Sequence, residues 1–134
     1  WAENETRLEG SEVIIPVPLH PQKLAARGYN QAELMAGPLT AFLRRPLRCD
    51  VLQRIKPTVS QSKLSRRARK ENMEGAFSVV NCSAVAGKEV LLIDDIRTTG
   101  YTLSAAARAL LLAGADRVKV LSLAVGVTTE EWKQ

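Results

Sequence analysis

The strongest constraint on the fold comes from residues 89–112, where an apolar run leads through two acids and a hydroxyl-rich turn into a second apolar segment. Residues 89–93 have the composition of a strand that is buried on both faces, and Asp94 and Asp95 follow it directly. Residues 102–112 have the spacing of a helix, which Gly114 is expected to end. This order of elements is typical of open α/β sheets, which bind ligands at the carboxyl ends of their strands.

Predicted strands and helices alternate along the rest of the chain. Asn30 and Glu33 have the spacing of a capping box and predict a helix over residues 31–44, which Gly37 and Pro38 should kink or split. A polar, basic loop is expected over residues 19–28. Further apolar runs predict strands at residues 13–17, 50–55 and 117–125, the last of these being the final strand, and residues 75–80 form another short apolar run. We therefore predict an α/β fold with a mainly parallel, twisted sheet flanked by helices.

The turn after the two acids has the chemistry of a sugar-phosphate site. A helix start offers unpaired backbone N–H groups to a phosphate, and carboxylates suit ribose hydroxyls, either directly or through Mg²⁺. The turn residues that add hydroxyl donors or permit close backbone approach are Thr98, Thr99, Gly100 and Thr102. The chain has neither a G-x-G-x-x-G nor a G-x-x-x-x-G-K-[ST] phosphate motif. Taken alone, the acid pair is equally consistent with ordinary helix capping.

The positive charge of the chain is concentrated in one segment. The formal net charge is +5. Residues 54–70 hold seven of the 19 cations and no acid, so the remainder has fewer cations than the 14 acids of the chain. Such a cluster attracts a phosphate-bearing partner, small or polymeric, but taken alone it is equally consistent with a solvated loop. These cations are Arg54, Lys56, Lys63, Arg66, Arg67, Arg69 and Lys70.

Composition excludes several other classes of protein. No apolar run approaches the length of a membrane span, and the amino terminus has no secretory signal pattern. Cys49, Cys82 and the single histidine, His20, make no zinc constellation, so we expect reduced thiols and a cytoplasmic protein. We expect residues 1–12 to be an amino-terminal tail and residues 13–134 to form one domain. The sequence does not begin with Met, which indicates that the tail is trimmed.

Residues 91–103 (LLIDDIRTTGYTL) resemble the phosphoribosyl pyrophosphate signature of the type I phosphoribosyltransferases, which is four hydrophobic residues, two acids and a T-T-G loop. The surrounding sequence narrows the resemblance to the ComF family of competence proteins, which includes ComFC-like and GntX-like members. The residues that carry it are Pro16 to Leu19, Arg27 to Glu33, Arg54, Gln61, Leu64, Arg69, Asn72 and Gly75 to Phe77. The resemblance extends over residues 13–125.

The resemblance implies roles for individual residues. Asp94 and Asp95 would hold the ribose hydroxyls and Mg²⁺, and residues 57–74 would form a flexible hood over the pyrophosphate. The implied 5-phosphate loop consists of Arg97, Thr98, Thr99, Gly100, Tyr101 and Thr102. The implied pyrophosphate and hood contacts are Arg27, Lys63, Arg66, Arg67 and Arg69. His20, in the loop after Pro18, is either a surface residue or a pyrophosphate-loop contact.

Two functional hypotheses remain open at this level. The chain is either a phosphoribosyltransferase that acts on an unidentified acceptor, or a binding protein that senses phosphoribosyl pyrophosphate or holds single-stranded DNA during uptake. The sequence offers no evident general base, and Thr98 replaces the acid of purine-salvage enzymes. Relatives of this fold often form homodimers. Many ComF-family members carry an amino-terminal zinc ribbon whose residues this chain lacks.

Overall fold

The computed structural model describes residues 10–55, 75–94, 100–122 and 128–133. The strands are β1 (Val13–Pro16), β2 (Leu52–Arg54), β3 (Phe77–Val79), β4 (Glu89–Asp94), β5 (Arg117–Ser122) and β6 (Thr128–Lys133). The helices are α1 (Pro21–Arg27), α2 (Gln31–Leu43) and α3 (Gly100–Leu112). None of these helices has the length and apolar content needed to cross a membrane.

The main sheet has the strand order β1-β4-β5-β6. β4 pairs in parallel with β1 on one side and with β5 on the other, whereas β6 runs antiparallel to β5 at the edge. β2 and β3 form a separate two-stranded antiparallel ribbon. The prediction of an α/β fold with a mainly parallel sheet flanked by helices is therefore confirmed.

The two faces of the sheet bury different sets of side chains, because successive strand residues point to opposite faces. On one face, Ala32, Ala36 and Leu39 of α2 pack on β1 and β4. On the other face, the apolar stripe of α3 and the β2–β3 ribbon cover the sheet. The α3 stripe consists of Leu103, Ala106, Ala107 and Leu110, which have the spacing expected of one helix face.

Two expectations for the region between β1 and β2 are corrected. Residues 19–28 contain the helix α1 rather than a loop only, and its boundary signals were present in Pro21 at the helix start and Gly28 just after its end. The helix α2 is continuous across Pro38 and is not split. Pro38 has no N–H to donate to the carbonyl oxygen of Leu34, four residues earlier in the helix. Because Leu34 and Pro38 both lie on the exposed side of α2, water can donate to that oxygen instead.

The carboxyl-terminal strands also differ from expectation. β5 is described as far as Ser122, the predicted residues 123–125 lie outside the described residues, and β5 is not the final strand because β6 follows. The polar sequence of β6 carries little strand signal, so its extended conformation depends on pairing with β5. α3 starts at Gly100, two residues before the predicted Thr102, and residues 95–99 lie outside the described part of the chain.

The end of α2 contains a conformational strain. Arg44 follows the helix with φ of 55° and ψ of 44°, and its N–H donates to the Thr40 carbonyl oxygen at 2.9 Å. This left-handed conformation is usual for glycine at the same position, because a Cβ atom raises its energy. Arg44 is the only residue other than glycine with a positive φ in the part of the chain that is described.

We expect Arg44→Gly to stabilise the protein by about 0.5–1 kcal/mol, because relief of the left-handed strain exceeds the entropy that glycine adds to the unfolded chain. Urea unfolding followed by circular dichroism measures this difference. Arg44→Ala is the matched control: it removes the same charge but keeps a Cβ atom, so it should not stabilise. Equal stability of the two variants would contradict this explanation.

Candidate functional site

The carboxyl ends of the parallel strands and the start of α3 meet at one edge of the sheet. In the register of β1 with β4, Pro16 lies opposite Ile93, and in that of β4 with β5, Asp94 lies opposite Ser122. α3 begins at Gly100, six positions after Asp94, and returns along the sheet toward β5. This edge therefore brings a carboxylate together with the positive end of a thirteen-residue helix dipole. A phosphorylated sugar has the matching groups, hydroxyls and a dianion.

Asp94 is the predicted site residue that the structure places most clearly. It is the last residue of β4 and is completely buried. Alternation along β4 puts its side chain on the face that α3 covers, and both carboxylate oxygens are shielded from solvent. Its oxygens are ligands of the kind that Mg²⁺ prefers, so the chemistry of the residue fits the ion. A ligand would contact this carboxylate only after the groups that cover it move.

Most of the other predicted contacts lie outside the described residues or have side chains that are not described. The residues that lie outside the described part of the chain are Asp95, Arg97, Thr98, Thr99, Lys63, Arg66, Arg67 and Arg69. Gly100, Tyr101 and Thr102 form the first turn of α3, which agrees with a phosphate loop that leads into a helix. Their predicted roles stay predictions.

One side chain, that of Asn30, links the two ends of the segment between β1 and α2 by hydrogen bonds. The Asn30 Nδ2 donates to the carbonyl oxygen of Val17 at 3.1 Å, while the Asn30 Oδ1 accepts from the N–H of Ala32 at 3.0 Å. The N–H of Val17 in turn donates to the carbonyl oxygen of Ile93 at 2.8 Å. The sequence predicted Asn30 only as a helix cap. Its second bond links two distant segments and leaves no signal in local sequence.

α1 lies just beyond the end of β1 and buries none of its described side chains. The His20 Nδ1 caps its start by accepting from the N–H of Gln22 at 3.2 Å. Gly28, with φ of 87°, caps its end by donating to the Leu24 carbonyl oxygen at 2.7 Å. His20 is thus a half-buried helix cap, and Arg27 is an exposed residue of the last turn. Both lie in the segment that the resemblance assigns to pyrophosphate.

The β2–β3 ribbon flanks residues 56–74, which contain all of the basic segment except Arg54 and Ile55. Ile55 donates its N–H to the Ala76 carbonyl oxygen at 2.8 Å, so the chain before and the chain after residues 56–74 are hydrogen-bonded to each other. Beside this bond the Arg54 guanidinium lies over the Phe77 ring, 5.5 Å from its centroid. Arg54 is only 8% exposed, and burial lowers its pKa from the usual arginine value. The sequence treated Arg54 as one more surface cation, because burial depends on the ribbon packing against α3.

No described cysteine or cluster suggests metal or thiol chemistry. Within residues 10–55, 75–94, 100–122 and 128–133, no three His, Cys, Asp or Glu side chains lie close enough to hold a metal ion. Both cysteines are free. Partial burial raises the pKa of the Cys49 thiol to about 11, and the carboxylates of Glu33 and Asp50 add to this rise. A thiol with so high a pKa is a poor nucleophile at neutral pH.

Comparison with known proteins gives one family and several relatives. Residues 36–133 match the family described as the phosphoribosyl transferase domain. The chain is 36% identical over 124 residues to Competence protein F of Haemophilus influenzae, an alignment covering 92% of this chain and 54% of that protein. It is 34% identical to the DNA utilization protein YhgH of Escherichia coli (strain K12), and that alignment covers 91% of this chain and 53% of YhgH. It is 36% identical to Competence protein ComFC of Bacillus subtilis, and that alignment covers 76% of this chain and 39% of ComFC. The chain spans about half the length of the first two relatives.

We expect Cys49 to react with iodoacetamide about 100-fold more slowly at pH 8 than an ordinary thiol, whose pKa is about 8.5. The rate should rise about tenfold per pH unit until the pH approaches the raised pKa. Mass spectrometry of a Cys82→Ser variant follows Cys49 alone. Glu33→Gln should shift the rise to lower pH because it removes one negative charge. A plateau near pH 8.5 would contradict the assignment.

Proposed function

The chain belongs to the phosphoribosyl transferase domain family, as its resemblance to the ComF proteins predicted, and we propose that it binds phosphoribosyl pyrophosphate with Mg²⁺ at the carboxyl edge of its sheet. The observation that carries this proposal is the position of Asp94 at the end of the central strand, six residues before the start of α3. Both elements lie inside the matched family range. An acid at a strand end, followed by a helix start, suits a ribose and its 5-phosphate.

Each part of the ligand has a proposed set of contacts. Asp94 and Asp95 bind the ribose hydroxyls and hold Mg²⁺, and residues 97–102 bind the 5-phosphate through hydroxyls and backbone N–H groups. Arg27 and the cations of residues 63–69 bind the pyrophosphate, since guanidinium groups bond to phosphates through two parallel hydrogen bonds. When bound, Mg²⁺ neutralises part of the charge on the pyrophosphate.

We further propose that the bound ligand donates its phosphoribosyl group. In that transfer the bond between the anomeric carbon and pyrophosphate breaks, an acceptor nucleophile bonds to that carbon, and pyrophosphate leaves. Cations around the leaving group would stabilise its growing charge. The proton that an amine or nucleobase acceptor loses in this step would pass to solvent. Release of pyrophosphate in a screen of amine and nucleobase acceptors distinguishes a transferase from a sensor that only binds.

We expect Asp95→Asn to weaken Mg²⁺-dependent binding of phosphoribosyl pyrophosphate by about 100-fold or more, because a neutral amide is a poor ligand for this ion. Titration calorimetry with and without Mg²⁺ measures the loss, and circular dichroism should show an unchanged fold. Asp94→Ala/Asp95→Ala should abolish Mg²⁺-dependent binding.

The matched control for this experiment is Asp116→Asn. Asp116 is an exposed acid in the turn between α3 and β5, at the opposite edge of the sheet, and its loss changes the net charge equally. Its affinity should equal that of the wild type. Unchanged affinity in Asp95→Asn would exclude the acid pair as the Mg²⁺ site.

A second candidate function is the handling of DNA during uptake, favoured by the names of two relatives, Competence protein F and DNA utilization protein YhgH. The cations of residues 54–70 could contact a phosphate backbone, although the segment has none of the aromatic residues typical of single-strand grooves. If DNA is the ligand, the logarithm of the affinity for a labelled oligonucleotide should fall with log salt, with a slope of about −0.7 per phosphate contacted. A flat response in fluorescence anisotropy would count against this role.

A further inference from the structure

The position of α1 relative to the rest of the site is not determined by packing. All of its described side chains are exposed, including Leu24 and Arg27. With so little buried surface, α1 depends on the residues at its two ends for part of its position. At the β1 end, Val17 is buried and precedes Pro18, which restricts it to an extended conformation. At the α2 end lies Asn30.

A single residue, Val17, connects these ends to the strand that carries Asp94. The N–H of Val17 donates to the carbonyl oxygen of Ile93 at 2.8 Å, and Ile93 immediately precedes Asp94. The carbonyl oxygen of Val17 accepts from the Asn30 Nδ2 at 3.1 Å. The bonds of Val17 therefore join the end of β4 to the corner between α1 and α2.

The capping role of Asn30 does not by itself require an amide. Aspartate and serine cap helix starts about as well as asparagine. The bond to Val17, however, needs a donor that extends far enough from the backbone. Aspartate has no such donor when ionised, and serine is shorter by one atom and hence unlike asparagine in its reach. The two bonds of Asn30 can therefore be separated by substitution.

We infer that Asn30 is a positioning residue, whose amide holds residues 18–29 against the Asp94 end of β4 and so sets the spacing between the pyrophosphate and ribose contacts. This inference rests on the proposed function, because residues 18–29 bind pyrophosphate only if the chain binds phosphoribosyl pyrophosphate. It predicts a selective defect. Loss of the amide weakens binding of the pyrophosphate part of the ligand and leaves binding of the ribose 5-phosphate part unchanged.

The experiment compares two ligands in calorimetry with Mg²⁺, phosphoribosyl pyrophosphate and ribose 5-phosphate, on the wild-type chain, Asn30→Ser and Asn30→Asp. Both variants should bind phosphoribosyl pyrophosphate about tenfold more weakly, the size expected for one lost hydrogen bond. Both should bind ribose 5-phosphate as the wild type does. Thr40→Ala is the matched control, because it removes a side-chain bond of the same 3.1 Å length, to the Ala36 carbonyl oxygen, farther along α2. It should leave both affinities unchanged.

The possible outcomes separate the inference from the function beneath it. A wild-type chain that binds neither ligand overturns the proposed function and this inference together. If the wild type binds and Asn30→Ser retains full affinity for phosphoribosyl pyrophosphate, the inference alone is overturned, even if Asn30→Asp is weak, because the added charge then explains the defect. Equal losses for both ligands in Asn30→Ser also overturn it, since they indicate a general effect on folding.

Discussion

The burial of β4 on both faces is the constraint on which the other elements depend. Its residues from Val90 to Asp94 are all inaccessible to solvent. A strand in this position needs a partner on each side and a cover on each face, and β1, β5, α2 and α3 supply them. Parallel pairing with both neighbours then places three carboxyl ends at one edge. The polar residue that ends this apolar strand lies at that edge.

Around this packed centre, the elements near the candidate site are held by a few directional contacts. α1 depends on its two caps and on the corner at Asn30. The described side chains of α1 bury little surface, so this helix can respond to a ligand at a lower free-energy cost than the sheet can. The β2–β3 ribbon is different, because Val51, Leu52, Ala76 and Phe77 are buried in the core. This division is usual where a rigid scaffold carries a binding site.

Prediction from sequence succeeded where the local pattern and the tertiary packing favour the same structure. β4 and α3 were predicted because a doubly buried strand is continuously apolar and a half-buried helix has an apolar stripe. β6 was missed because its polar sequence becomes a strand only through pairing with β5. Of the two outcomes predicted at Pro38, a split was wrong, because the proline lies on the solvent side of α2, where water can replace the missing helical bond. For the site, Asp94 and the start of α3 were located, but the second bond of Asn30 and the burial of Arg54 were not.

The sequence by itself determined the class of fold, the order of the apolar elements and the acid–turn–helix pattern, because these depend on spacing along the chain. It also determined that the positive charge lies in one segment. Only the tertiary structure decided that Asp94 is buried, that Arg54 is buried within the β2–β3 ribbon, and that Asn30 reaches Val17. These features depend on contacts between residues that are far apart in sequence or on the shielding that packed layers provide. Local propensity contains no information on these long-range contacts or on this shielding, because both exist only once the sheet and its helices are assembled.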